Sequence, residues 1–254
     1  MRLILLLLFL STNYLFAQPE LEKANSAYAS RSYGSEKNKA NKSQINLAIN
    51  YYLSANRNKN TLQASKGILK SYYFYGKYVV NDIEEKKKIF NNAVKLGERF
   101  IFKYPDSPGI RYWYLVNLGS WAEVYGVIAA ARSGFADTMK VHSEKIIELD
   151  NEYKDGGGYF MLGVVHLRAP YVPFFLSWPD KIKAEKLLES ATLTGKNTLP
   201  QKFNYAKALY RNNQKVKARK LLEEVINFTP KGENKVEEWD HIIEAKKFYN
   251  SIKE

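Results

Sequence analysis

The chain has 254 residues, a formal net charge of +13 and no cysteine. The missing thiols exclude a disulfide framework, a thiolate metal site and a lipid-modified N-terminal cysteine. A basic balance draws a protein toward anionic surfaces, but lysine and asparagine are spread along the whole chain. Lys86-Lys87-Lys88 and the run Lys215, Lys217, Arg219, Lys220 therefore read as solvated helix faces.

Residues 1–17 have the layout of a secretory signal. Arg2 precedes the apolar run Leu3 to Leu10, and a short polar stretch leads to Leu15-Phe16-Ala17. Cleavage is expected before Gln18, leaving 18–254 as a single helical domain that is periplasmic or secreted and is not a lipoprotein. The apolar run is shorter than the ~20 residues a membrane-spanning helix needs, and no second stretch of that length follows. Export argues against nucleic acid as a partner.

Over 20–31, Leu21, Ala24, Ala27 and Tyr28 recur at helical spacing. Residues 32–42 form a loop, and Ser43 is placed to cap a second helix bearing Leu47, Ala48, Tyr51, Tyr52 and Ala55. Segments 61–80 and 82–104 make the next pair, which the prolines at 105 and 108 stop. Segments 110–128 and 137–149 make a third. The fourth occupies 156–194: Tyr159, Leu162, Gly163 and His166 share one face of its first helix, and Ala184, Leu187, Leu188 and Ala191 one face of its second. Gly163 sits where two helices must approach closely. Between these helices, 169–180 is a non-helical insert with three prolines and the aromatics Tyr171, Phe174, Phe175 and Trp178. Segment 202–228 supplies a fifth pair. An amphipathic helix over 237–252, with Trp239, Ile242, Tyr249 and Ile252 on one face, suits the polar-outside end of a stack.

The helical hairpin recurs. Lys183-Ala184, Leu187, Leu188 and Ala191 return as Lys217-Ala218, Leu221, Leu222 and Val225, displaced by 34 residues. That is the period of the tetratricopeptide repeat. The first half of the repeat's pattern stands at Tyr159, Leu162, Gly163 and His166, and part of it at Leu115, Leu118 and Gly119. The expected fold is all-α: a tetratricopeptide-like solenoid of about five helix pairs with a C-terminal capping helix.

A longer order of motifs runs from Tyr104-Pro105-Asp106-Ser107-Pro108 through Leu118-Gly119 and Ile146-Ile147-Glu148-Leu149-Asp150. It continues with Gly156-Gly157, Leu162-Gly163, Ala169-Pro170 and Asp180-x-x-x-Ala184. This resembles the T component of TRAP transporters, a family of exported tetratricopeptide-like proteins, over about 104–225. The chain departs from that family in having no cysteine to lipidate, Phe160 in place of a basic residue, and Pro179 in place of the glycine before Asp180. The resemblance implies an accessory protein of the periplasm with a groove or pore through its repeats. It would work with a partner such as a solute-binding protein in uptake of organic acids or similar small, partly apolar organic ligands. A general envelope module that binds a peptide or protein in its concave groove is the alternative.

No catalytic set, metal site or cofactor motif is expected. His142, His166 and His241 share no ligand spacing, and no metalloprotease, nucleophile-elbow or phosphate-loop pattern occurs. His166 fills the aromatic slot of a repeat and reads as packed. Asp180 reads as the cap of the helix that follows it. The insert aromatics Tyr171, Phe174, Phe175 and Trp178 are the candidate ligand or partner surface, or else cover the core beside their own hairpin. A second aromatic set, Tyr72, Tyr73, Tyr75, Tyr78, Tyr112, Trp113 and Tyr114, is divided between core and concave face. Self-association stays open. The export reading predicts that N-terminal sequencing of protein from the envelope fraction begins at or near Gln18; intact Met1 on cytoplasmic protein would sink it.

Overall fold

The computed structural model describes residues 19–59, 61–126, 129–130, 133–171 and 176–252. Residues 1–17, expected to be a signal segment, and the insert residues Phe174 and Phe175 lie outside that set. The described chain is helical, without a strand among the described residues. Helix α1 covers 19–29, followed by α2 (Lys42–Lys59), α3 (Leu62–Tyr78), α4 (Ile83–Lys103) and α5 (Pro108–Tyr125). Then come α6 (Phe135–Leu149), α7 (Tyr153–Arg168), α8 (Lys181–Leu193), α9 (Leu199–Arg211) and α10 (Lys215–Ile226). A short 3-10 turn (Gly232–Asn234) leads into α11 (Lys235–Ser251). None of the described helices is long and apolar enough to cross a membrane.

Capping chemistry sets the helix starts. Thr61 accepts from the Ala64 amide at 3.2 Å, Asp82 from Glu85 at 2.7 Å, and Ser107 from Ile110 at 3.2 Å with Pro108 in the first turn. Asp180 caps α8, its Oδ1 accepting from the amides of Ile182 and Lys183 at 2.7 and 2.8 Å. At α2 the cap is Asn41 and not Ser43. The helix starts at Lys42, and Asn41 Oδ1 accepts from the Ser43 amide at 2.9 Å.

Short connections reverse the chain between consecutive helices, and from α2 to α5 and α5 to α11 each packs on its successor in the chain. Alternate helices also touch: α3 with α5, α5 with α7, α7 with α9, and α9 with α11. The odd-numbered helices thus make one continuous inner layer, running parallel, with even-numbered helices packed against them. The 34-residue register is kept in the packing. Ala184, Leu188 and Ala191 on α8 are fully buried, and so are Ala218, Leu222 and Val225 on α10.

Glycines let the helices approach. A Cβ on Gly67 would lie 2.3 Å from the Tyr52 ring, and one on Gly163 would lie 2.7 Å from Leu188 Cγ and 3.2 Å from the Leu188 backbone nitrogen. Gly163 therefore seats α8 on α7, as its spacing implied. Gly163→Leu is expected to lower stability by ~1–3 kcal/mol through overpacking, less the small gain in helix propensity. An unchanged midpoint in chemical denaturation would overturn that account of the α7–α8 contact.

Candidate functional site

The two ends of the chain meet. Val236 of α11 is buried in the same cluster as Ala24, Ala27, Ile45, Tyr52, Ile68 and Phe74 from α1 to α3. The link is polar at its centre. The Arg31 side chain is almost wholly buried and pairs with Glu237 at 2.8 Å, bonds to Asn234 Oδ1 at 2.5 Å, and donates to the Tyr28 carbonyl at 3.1 Å. Its guanidinium lies 4.3 Å from the Tyr28 ring centroid and 5.4 Å from that of Phe74. The Ser32 hydroxyl donates to the Glu233 carbonyl at 2.5 Å, and Asn38 donates to Asp240 at 2.9 Å. Burial pushes the Glu237 carboxyl above its ordinary value, with Arg31 opposing. The helical stack is closed into a ring.

The inner helices line a solvent-open cavity of about 430 Å³, formed by residues of α3, α5, α7, α9 and α11 with Met139 from α6. Its middle band is apolar and aromatic: Tyr73, Tyr112, Trp113, Val116, Phe160 and Phe203. One mouth is charged and internally neutralised. Glu123 accepts from Lys77 and from Arg168, each at 2.9 Å, and all three residues stand in the last turns of α3, α5 and α7. Burial works against the Glu123 carboxylate, but Lys77 and Arg168 outweigh it and hold the carboxyl below its ordinary value. His241 lines the wall from α11; burial lowers it to about 4, so it is neutral at physiological pH.

At the other end of α3, α5 and α7 stand their starts, where Lys66, Gly109 and Tyr153 come together. Here Lys154, Asp155 and Gly156 are all left-handed, with φ of 54°, 57° and 83°. Two consecutive non-glycine residues in that region cost ~1–3 kcal/mol each. Bonds to the following loop hold them there. Asp155 accepts from the Lys196 amide at 3.1 Å, and Gln201 donates to the Asp155 carbonyl. Glycine is needed at 156 on two counts: φ is positive, and a Cβ would come 2.9 Å from Thr194 and 3.2 Å from the Ala191 backbone. At Gly157 a Cβ would strike the Tyr112 ring at 2.7 Å, so this glycine lets α7 settle on the aromatic band. The turn leaves Lys154 Nζ 5.7 Å from the Trp113 ring centroid.

The residues anticipated from sequence fall in three places. Leu118, Leu162, Ala184 and Ala218 are core. Gly119 differs from Gly163: a Cβ there would meet nothing within 4 Å, and the residue opens onto the cavity. The described part of the insert lies against α7 and outside the large cavity. Trp178 is half-buried, packs edge-on against His166 at 4.9 Å, and donates its indole N–H to Asp137 at 2.8 Å. Tyr171 is exposed, and Pro170 lines a smaller pocket of about 130 Å³ beside Leu176 and Phe135.

His166 is buried and accepts through Nδ1 from the Asp180 amide at 3.1 Å, which fixes the end of the insert. Burial, then Lys183, lowers it to about 4. His142 accepts from Arg111 at 2.6 Å in a third, separate setting. Of the second aromatic set, Tyr73, Tyr112 and Trp113 line the cavity, whereas Tyr78 and Tyr114 are buried core.

Composition hid Lys66, Lys70 and Lys154. The readable signal was a stripe on α3: Lys66, Lys70, Tyr73 and Lys77 stand at offsets 0, 4, 7 and 11, and its last two members line the cavity.

No protein-family model matches the chain, and no curated protein matches it. Closure of the ring predicts a specific sensitivity. Arg31→Met removes the cation and leaves Glu237 buried without its partner, a change worth ~3–5 kcal/mol of destabilisation. Adding Glu237→Leu should recover part of that loss. A single variant as stable as the parent by urea denaturation would show that the ends are held by apolar contact alone.

Proposed function

We propose that this chain is a non-enzymatic, exported accessory protein of the T-component type: a tetratricopeptide-like solenoid closed around a cavity that takes a small, partly apolar organic molecule. The observation that carries the reading is the aromatic band on the inner helices, in a volume within the ~300–1,000 Å³ of small-molecule sites. The repeat reading is supported by the 34-residue register of burial in α8 and α10 and by contacts between alternate helices. The transport reading is supported by the order of motifs between 104 and 225. In this role the protein works in the periplasm with a partner such as a solute-binding protein, receiving or passing on the ligand.

The cavity wall offers no cysteine, and its one histidine, His241, is kept neutral by burial. Binding is the chemistry this lining suits. A peptide-binding module needs an open concave face, and here Arg31, Ser32 and Asn38 hold α11 across it. That arrangement favours a small ligand over an extended peptide.

Gly119 supplies the test, because a Cβ there meets no other residue within 4 Å and the position lines the cavity as well as the smaller pocket beside it. Gly119→Phe is expected to keep the parent's melting temperature within a few degrees, since helix propensity rises, the Cβ is unobstructed and the ring has the cavity to occupy. It should also weaken binding of a neutral aromatic probe, 1-naphthol, by about tenfold or more, measured by isothermal titration calorimetry. Parent protein that fails to bind the probe, or a variant that binds it equally well, would overturn the reading of the cavity as a ligand site.

A further inference from the structure

The lining of the large cavity is electrically balanced, although the chain carries +13. Its charged members are Lys77, Arg168 and Lys207 against Glu123, Asp240 and Glu244, and burial keeps His241 neutral. These charges are not all joined to one another. Glu123 takes both Lys77 and Arg168, each at 2.9 Å. Lys207 on α9 forms no ion pair with any described residue; its Nζ lies 5.2 Å from the Phe203 ring centroid and 5.6 Å from that of Phe248. On α11, Asp240 is half-buried and, among the described residues, accepts only from the uncharged Asn38 amide, at 2.9 Å. Glu244 pairs with Lys247 on the exposed side of the same helix, and a surface pair of that kind holds its carboxylate weakly.

The cavity therefore meets a cation on α9 and two carboxylates on α11 that are opposite in sign and not joined. Asp240 and Glu244 stand four residues apart, on one face of α11. An anion drawn to Lys207 also faces both carboxylates, and a cation drawn to the carboxylates also faces Lys207. A guest with a single charge thus loses in repulsion part of what it gains in attraction, and removing that charge from water costs free energy as well. A guest with both signs gains at both places. The apolar part of such a guest is placed by the same helix: Phe203 lines the cavity one turn before Lys207, ~6 Å along α9, and Phe160 lines it from α7.

We propose that the cavity's ligand is a zwitterion without net charge on an aromatic body, of the class of the aromatic α-amino acids. Lys207 holds its carboxylate, Asp240 and Glu244 hold its ammonium, and its ring lies against Phe203 and Phe160. The inference rests on the reading of the cavity as a small-molecule site and adds the ligand's charge state and class. It sets this cavity apart from one built for an organic acid, whose single negative charge would meet a lining that sums to zero.

The experiment is calorimetric titration of the mature chain, at low ionic strength, with four probes that share an indole ring: L-tryptophan, indole-3-propanoate, tryptamine and 3-methylindole. Tryptophan is expected to bind about tenfold or more tightly than each of the other three. Lys207→Met keeps most of the stem and removes the cation, and Glu244→Gln keeps the shape and removes one carboxylate. Each should weaken tryptophan about fivefold or more while leaving 3-methylindole affinity unchanged, which also shows that the variant is folded. Lys207→Arg should restore tryptophan binding, and Lys215→Met on exposed α10 should change nothing. If indole-3-propanoate binds as tightly as tryptophan, the ligand is an acid and the proposal is overturned; tryptamine binding as tightly overturns it in favour of a cation. If 3-methylindole binds and tryptophan binds no better, the zwitterion is overturned and the cavity reading stands. If no probe binds, both readings fall.

Discussion

The ring depends on one buried cation. Arg31, between α1 and α2, is held by Glu237 and Asn234 at the start of α11 and stacked on Tyr28 and Phe74. An open solenoid has two free ends and a concave face continuous with solvent. Here the ends are joined, and the inner helices form the wall of a cavity. The apolar seal around Val236 contributes the area, and the guanidinium fixes where the ends meet. A buried ion pair is weak evidence for stability but good evidence for register, because any other docking leaves a charge unpaired.

The cavity follows from parallel inner helices of similar length. Since α3, α5 and α7 run in the same direction, their last turns gather Lys77, Glu123 and Arg168, and their starts gather Lys66, Gly109 and Tyr153. The aromatic band lies between these two ends. Glycines at 109, 156 and 157 let the first turns close in, and Gly119 leaves the middle open. The same residue type thus permits contact in one place and space in another.

The left-handed turn at 154–156 is the least relaxed part of the described backbone. It is held by the loop after α8 and the start of α9, through Lys196 and Gln201, so the placement of Lys154 depends on the helices that follow. The insert beside α7 is anchored as well, by Trp178 on His166 and Asp137 and by the Asp180 amide on His166. Its anchoring explains why a tryptophan in a proline-rich loop is half-buried.

What the sequence determined by itself was local. Helical spacing, prolines and capping residues set the elements, the 34-residue recurrence marked three fully buried positions each on α8 and α10 while Leu187 and Leu221 are half-buried, and Gly163 marked a close helix contact. Even there, the start of α2 belonged to Asn41, because Asn and Ser are equally good caps and only the observed first turn chooses between them. Tertiary structure decided the rest. Nothing in the spacing of α11 says that its polar face will meet residues some 200 positions earlier, since Arg31 to Glu237 is a contact set by how the helices stack. The division of the tyrosines into core and cavity lining depends on the same stacking. The position of Lys154 was equally illegible: Lys66 and Lys70 share a stripe that can be read directly, but Lys154 comes to lie beside Trp113 through a left-handed turn 84 residues beyond Lys70.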